Sequence, residues 1–212
     1  MPEIENLMEP VVIQSPVKGS WSFMNPPGHH PDAKDFVAVN SKGLPYSSLN
    51  LALHIFYRLK VENTFAWEKE VFSPFNGTVV EVSNNMHDRN NLNLFRDIIN
   101  GLVLAPRCKN KGIDFFLGNY IIIESAEGIF ALLAHLKKGS VLVKEGQNVE
   151  SGELIAQVGN SGNTIQPHLH FQLMAENDPG KSIPLPFLLE SCQCKKQEIL
   201  VGLPKNYESF KV

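Results

Sequence analysis

Gly159-Asn160-Ser161-Gly162-Asn163-Thr164-Ile165-Gln166-Pro167-His168-Leu169-His170-Phe171 is the stretch on which the reading of this chain turns. A turn rich in Gly, Asn and Ser runs into a segment of alternating character. Side chains at i and i+2 of a strand share a face, so His168 and His170 aim at one point while Leu169 and Phe171 face the opposite way into apolar packing. Metal sites are commonly begun in this way. The spacing alone decides nothing: seven histidines in 212 residues give an HxH by chance about 0.23 times. The surroundings must carry the inference.

Working outward, strand-like segments dominate the second half, at 120–124, 129–134, 141–143, 153–158 and 168–174, with an earlier one at 78–82. Short turns separate them. Ala126-Glu127-Gly128 would close a hairpin, and Lys144-Glu145-Gly146-Gln147 and Glu150-Ser151-Gly152 punctuate the later strands. The expected fold class is mainly β, with an antiparallel core. His135 closes the run 129–134, and His30 and Asp35 form a pair near the N-terminus, Asp35 opening the strand-like Asp35-Phe36-Val37-Ala38-Val39.

Two stretches break the β pattern. In 48–59, Leu49, Ala52, Leu53 and Phe56 fall at helical spacing, and in 90–100 Leu92, Phe95, Ile98 and Ile99 repeat the theme before Gly101. Both read as partly helical insertions, at about 41–70 and 84–118, in a single domain over 1–212 with a core of about 28–174. The remainder, 175–212, reads as an extension with one late strand at 199–203. His54 on an apolar segment reads as a packed residue, and His87 in a polar loop as a solvated one.

A net charge of −3 and a pI near 6.2 give no electrostatic reason to bind nucleic acid. Residues 1–12 lack a basic segment followed by an apolar one, and no apolar run of about 18 residues occurs. The expectation is therefore no transmembrane segment, and a cytoplasmic protein as written or an exported one if a signal is missing from the sequence. The three cysteines are expected as free thiols, since Cys108 is isolated and Cys192 and Cys194 are spaced poorly for a mutual disulfide. A Cys-x-Cys can hold metal, but no second pair completes a tetrahedral set.

A hydrolytic zinc site needs about three nitrogen or oxygen ligands and an open position. His30, Asp35 and His170 would supply the ligands. His135 and His168 would then lie near enough to move protons or stabilise charge. Zinc lowers the pKa of water toward ~7, and protonating the ligands undoes its binding, so metal binding and activity should both fall in mild acid. Against this stands the plain alternative that these histidines serve a polar strand face, a strand end and a Pro-rich loop.

The residues resemble the lysostaphin-type zinc endopeptidases. The resemblance rests on Gly118-Asn119-Tyr120-Ile121-Ile122-Ile123-Glu124, Ala134-His135-Leu136, Gly146-Gln147-Asn148-Val149, Val158-Gly159-Asn160-Ser161-Gly162 and Pro167-His168-Leu169-His170-Phe171, in that order. Ser73-Pro74-Phe75-Asn76-Gly77-Thr78-Val79 looks like the family's preceding strand entry. It implies an antiparallel β-sheet or β-sandwich core, the duplicated hybrid motif, and cleavage of peptide bonds in peptidoglycan cross-bridges or stem peptides. It also implies that His170, Asp35 and a preceding histidine hold Zn2+ while His168 and His135 are catalytic. The chain departs from the pattern at that preceding histidine, because the family has three residues between His and Asp and here His30 and Asp35 have four. His30 is preferred, and His29 stands as the other candidate.

Two other functions compete. One is a non-catalytic cell-wall or partner-binding member of the same fold. The other is a carrier module, because 143–152 also resembles the turn of biotinyl and lipoyl domains, although no lysine follows Gly152 before Lys181. The segment 84–118 is the candidate lid over the groove.

Overall fold

Alternation is the rule that builds this molecule. The computed structural model describes residues 9–25, 29–47, 59–93, 112–194 and 198–212. In chain order the strands are β1 (Val11–Ile13), β2 (Ser20–Met24), β3 (Lys34–Ala38), β4 (Leu59–Lys60), β5 (Glu70–Phe72), β6 (Gly77–Ser83), β7 (Asn91–Leu92), β8 (Asn119–Ser125), β9 (Phe130–Leu136), β10 (Asn148–Val149), β11 (Leu154–Gln157), β12 (Leu169–Met174), β13 (Pro184–Leu185), β14 (Phe187–Leu189), β15 (Cys192–Cys194), β16 (Glu198–Ile199) and β17 (Ser209–Lys211). The largest sheet runs β10-β6-β8-β9-β12-β3-β2-β17-β15-β16, with β13 on β12. Its pairings are antiparallel.

One face of this sheet closes the main core. Ile121 and Ile123 of β8, Ala131 and Leu133 of β9, and Leu169, Phe171 and Leu173 of β12 all bury there with Phe23, Phe36 and Phe210. The small β5–β11 pair covers them through Val71, Ile155 and Ala156. Rings of Phe23, Phe36 and Phe171 meet edge to face, with centroids 4.7 Å apart for the first pair and 6.1 Å for the second. The alternate residues occupy the other face, where Tyr120, Ile122, Leu132, Ala134 and Met174 form a second, smaller cluster under Leu117. His170 and Gln172 belong to this second face.

The expected antiparallel β core is thus observed. Segments 78–82, 120–124, 129–134, 153–158 and 168–174 correspond to β6, β8, β9, β11 and β12, and a turn at Ser125–Gly128 joins β8 to β9. Segment 141–143 forms no strand; Leu142 N donates to Ile155 O at 2.9 Å and the ladder stops there.

The reading of 175–212 needs correction. Residues Pro184 to Lys211 supply β13 to β17, and β17 pairs with β2, so this part of the chain widens the main sheet. Of the strand expected at 199–203, only Ile199 lies in one, although Gly202 bridges Leu189. These strands are two or three residues long, too short to show a period in sequence.

The helix expected at 48–59 lies outside the described residues apart from Leu59. That expected at 90–100 is described only at its start, where Asn91–Leu92 pairs with Leu59–Lys60 as strand. A short helix, Ile113–Leu117, ends at Gly118 and lays Leu117 on the second face. Cys192 and Cys194 are free and buried, as expected, and Cys108 lies outside the described residues. Among the described residues no helix is long and apolar enough to cross a membrane.

Candidate metal centre and its flanking imidazoles

Strand register makes the first contact of the site. β3 pairs with β12 so that Asp35 stands opposite His170, and directly opposed residues share a face. Asp35 Oδ1 lies 2.8 Å from His170 Nδ1, with both residues buried. The third member comes from the loop before β3. A turn closed by Ala33 N to His30 O folds the chain back, and His29 Nδ1 arrives 3.5 Å from Asp35 Oδ2. Ligand atoms of His29, Asp35 and His170 all lie within 4.8 Å of one another.

The structure thus brings His29, the second candidate of the sequence reading, to Asp35 and His170. His30 sits inside the turn, where its Nδ1 accepts from Asp32 N at 3.2 Å and lies 3.7 Å from Asp32 Oδ2. The turn carries His30 sideways and returns His29 to the start of β3.

His135 reaches the site through a break in the strand rule. Ala134 of β9 already faces His170, so regular alternation would send His135 to the opposite face. Between Ala134 and Leu136, β9 has one residue more than β8, whose Tyr120 and Asn119 oppose those two. His135 is that extra residue, with φ of +62°, a left-handed conformation uncommon outside glycine. The bulge turns two successive side chains to one face and places the His135 ring centroid 4.6 Å from that of His168 and 6.0 Å from that of His170. Sites commonly hold such strain where an aimed side chain needs it.

The glycine-rich turn holds both flanking imidazoles by main-chain carbonyls. His135 Nδ1 lies 3.0 Å from Ser161 O, and His168 Nδ1 lies 2.7 Å from Gln166 O. A carbonyl only accepts, so each Nδ1 carries the proton and each neutral ring keeps its Nε2 lone pair. His168 Nε2 is buried without a hydrogen-bond partner, 3.6 Å from Asp35 Oδ1. Ser161 is itself fixed: its Oγ accepts from Asn119 N at 2.9 Å and donates to Leu136 O at 2.7 Å. Gln166 is held by the Tyr46 hydroxyl. A Cβ on Gly159 would stand 2.4 Å from the backbone of Lys137, so only glycine lets the turn lie this close to the end of β9.

The electrostatics follow from burial around one anion. Burial pushes Asp35 upward, but the imidazoles of His168, His170 and His29 outweigh it and hold the carboxyl well below the usual carboxylate range. Burial draws His170 down, yet its hydrogen bond and charge interaction with Asp35 leave it raised. Burial lowers His29 despite Asp35, and it lowers His135 far further, aided by the like charge of His168 and His170. A negatively charged oxygen flanked by imidazoles is a donor set for a divalent metal. In a tetrahedral zinc site adjacent ligand atoms lie about 3.3 Å apart; here His170 Nδ1 is 2.8 Å from Asp35 Oδ1, His29 Nδ1 is 3.5 Å from Asp35 Oδ2, and the three ligand atoms lie within 4.8 Å of one another. The residues fit the ion.

The sequence reading missed three contributors. Gln172 places Oε1 3.2 Å from His170 Nε2, and its i+2 position after His170 was a readable signal. Ser161 and Gln166 act through carbonyls, which no residue type advertises. His87 stands apart, exposed and 2.8 Å from Lys138 Nζ, and His54 lies outside the described residues.

Comparison with known proteins adds the family. Residues 98–182 match the model described as Peptidase family M23. The peptidoglycan DD-endopeptidase ShyA of Vibrio cholerae serotype O1 is 33% identical over 82 residues, covering 39% of this chain and 19% of that protein. The peptidoglycan DD-endopeptidase ShyB of the same organism is 41% identical over 64 residues, 30% of this chain and 15% of that one. These matches span less than a fifth of the length of either relative. Among solved structures, the catalytic domain of the antimicrobial peptidase lysostaphin from Staphylococcus simulans aligns at 16% identity and a TM-score of 0.41, over 79% of this chain and 88% of that one. The matched segment, 98–182, carries His135, His168, His170 and Gln172, and in that part the chain is similar to peptidase family M23.

Proposed function

We propose that this protein is a zinc-dependent endopeptidase that hydrolyses peptide bonds of peptidoglycan cross-bridges or stem peptides. The observation that carries the reading is the convergence of His29, Asp35 and His170 beside two imidazoles whose Nε2 atoms are free to accept protons. The match of residues 98–182 to a peptidase family, and their similarity to proteins named peptidoglycan DD-endopeptidases, support the reaction and the substrate class.

Bound at His29, Asp35 and His170, zinc would supply Lewis-acid polarisation of water and of the scissile carbonyl. His168 accepts a proton at Nε2, and Asp35, 3.6 Å away, stabilises the imidazolium that results. His135, held neutral by burial, accepts from the same region and is kept in its tautomer by Ser161 O. Either imidazolium can return its proton to the departing amine.

The test is zinc content per chain, followed by cleavage of defined peptidoglycan peptides. About one zinc is expected in the parent. His170→Ala and His29→Ala should lose it, whereas His30→Ala should keep it. Zinc retained by His29→Ala but lost by His30→Ala would return the ligand to His30. A parent that binds zinc and peptide yet cleaves none of the peptides would instead be a non-catalytic member of the fold.

A further inference from the structure

Gln172 follows His170 by two positions in β12, so both side chains stand on the site face. Its neighbours there are apolar: it opposes Leu132 on β9 and precedes Met174 by two. Burying an amide among such residues costs free energy unless the amide is hydrogen-bonded. Gln172 Oε1 meets that need at His170 Nε2, 3.2 Å away, and both residues are buried.

The contact has a chemical direction. An amide oxygen only accepts, so His170 must carry a proton on Nε2. Nδ1 donates to Asp35 Oδ1 at 2.8 Å, and with Nε2–H held by Gln172 it is the Nδ1 proton that a metal would displace. An amide turned the other way would present its NH2 to Nε2, so that a neutral His170 would keep its proton on Nδ1 and block the ligand atom. Resting on the endopeptidase reading above, we infer that Gln172 is a positioning residue for the metal, holding His170 in the tautomer and ring orientation that present Nδ1 beside His29 and Asp35. Partners of this kind commonly change metal affinity by about 10–100-fold.

The experiment is zinc affinity by chelator competition for the parent, Gln172→Leu and Gln172→Glu, with circular dichroism to verify folding. Gln172→Leu fills the space without an acceptor and should weaken zinc by about 10–100-fold. Gln172→Glu restores an acceptor and should bind at least as tightly as the parent. Equal affinity in a folded Gln172→Leu, or a Gln172→Glu as weak as Gln172→Leu, would overturn the inference. Should Gln172→Leu not fold, long-range proton–nitrogen correlation on the zinc-loaded parent decides: a proton on His170 Nε2 with metal on Nδ1 supports it, and metal on Nε2 overturns it. A parent that takes up no zinc defeats the endopeptidase reading itself, a result separable from any difference among the variants.

Discussion

Each histidine of the site is distinguished by what its second nitrogen touches. His135 and His168 give Nδ1 to main-chain carbonyls, whereas His170 turns Nδ1 toward Asp35 and gives Nε2 to Gln172. On the proposed function the first two would transfer protons and the third would hold the metal. His135→Ala and His168→Ala should each lower the cleavage rate by about 10²–10⁴-fold with zinc still bound, read by single-turnover kinetics beside metal content. His135 also sets a pH response. It stays neutral in the folded protein where the unfolded chain takes up a proton, so below its ordinary value of 6.5 the unfolded state binds more protons and stability falls with pH. His170 runs the opposite way, its contribution full below 6.5 and lost as pH rises through its raised folded value. Between about pH 7 and about pH 5, the metal-free parent should therefore lose more Tm than His135→Gln, as read by thermal melts in chelator.

At the scale of elements, three strands, the loop before β3 that carries His29 and one turn make the site. β3 and β12 supply Asp35 and His170 through their register, β9 supplies His135 through a bulge, and the turn 159–168 clamps the imidazoles. Gly159 lets turn and strand meet, and its N–H donates to His135 O at 2.9 Å. Gly159→Ala should force the end of β9 away from the turn, destabilise by about 1–3 kcal/mol in urea unfolding and lower cleavage by displacing His135. Unchanged stability and rate would show that the approach is not constrained. The helix Ile113–Leu117 packs Leu117 against Tyr120, Ile122, Leu132, Ala134 and Met174 on the second sheet face.

For the whole molecule, the site couples to stability because its donors come from distant parts of the chain. His29 and Asp35 lie in the N-terminal part and His170 near the end of the M23 segment. An ion bound only by the folded state stabilises it by about 2.7 kcal/mol at a hundredfold excess over Kd. At this size each kcal/mol moves Tm by about 2–4 °C, so zinc should raise the parent's Tm by several degrees. His170→Ala should show no such rise in the same calorimetric titration.

By itself the sequence determined the β class and where several core strands lie along the chain, and it singled out His135, His168, His170 and Asp35, which the structure brings together. Those readings rest on period-two alternation and turn chemistry, which are local and survive in one dimension. It read the C-terminal strands poorly because two or three residues cannot display a period. Only the tertiary structure brings His29 beside Asp35 and His170, because that placement depends on how the turn at His30–Ala33 returns the chain to β3. It alone turned His135 onto the face of Ala134 and assigned Ser161, Gln166 and Gln172 their imidazoles. Such contacts arise from register and from main-chain carbonyls brought together across the sheet, which the identity of a residue does not encode.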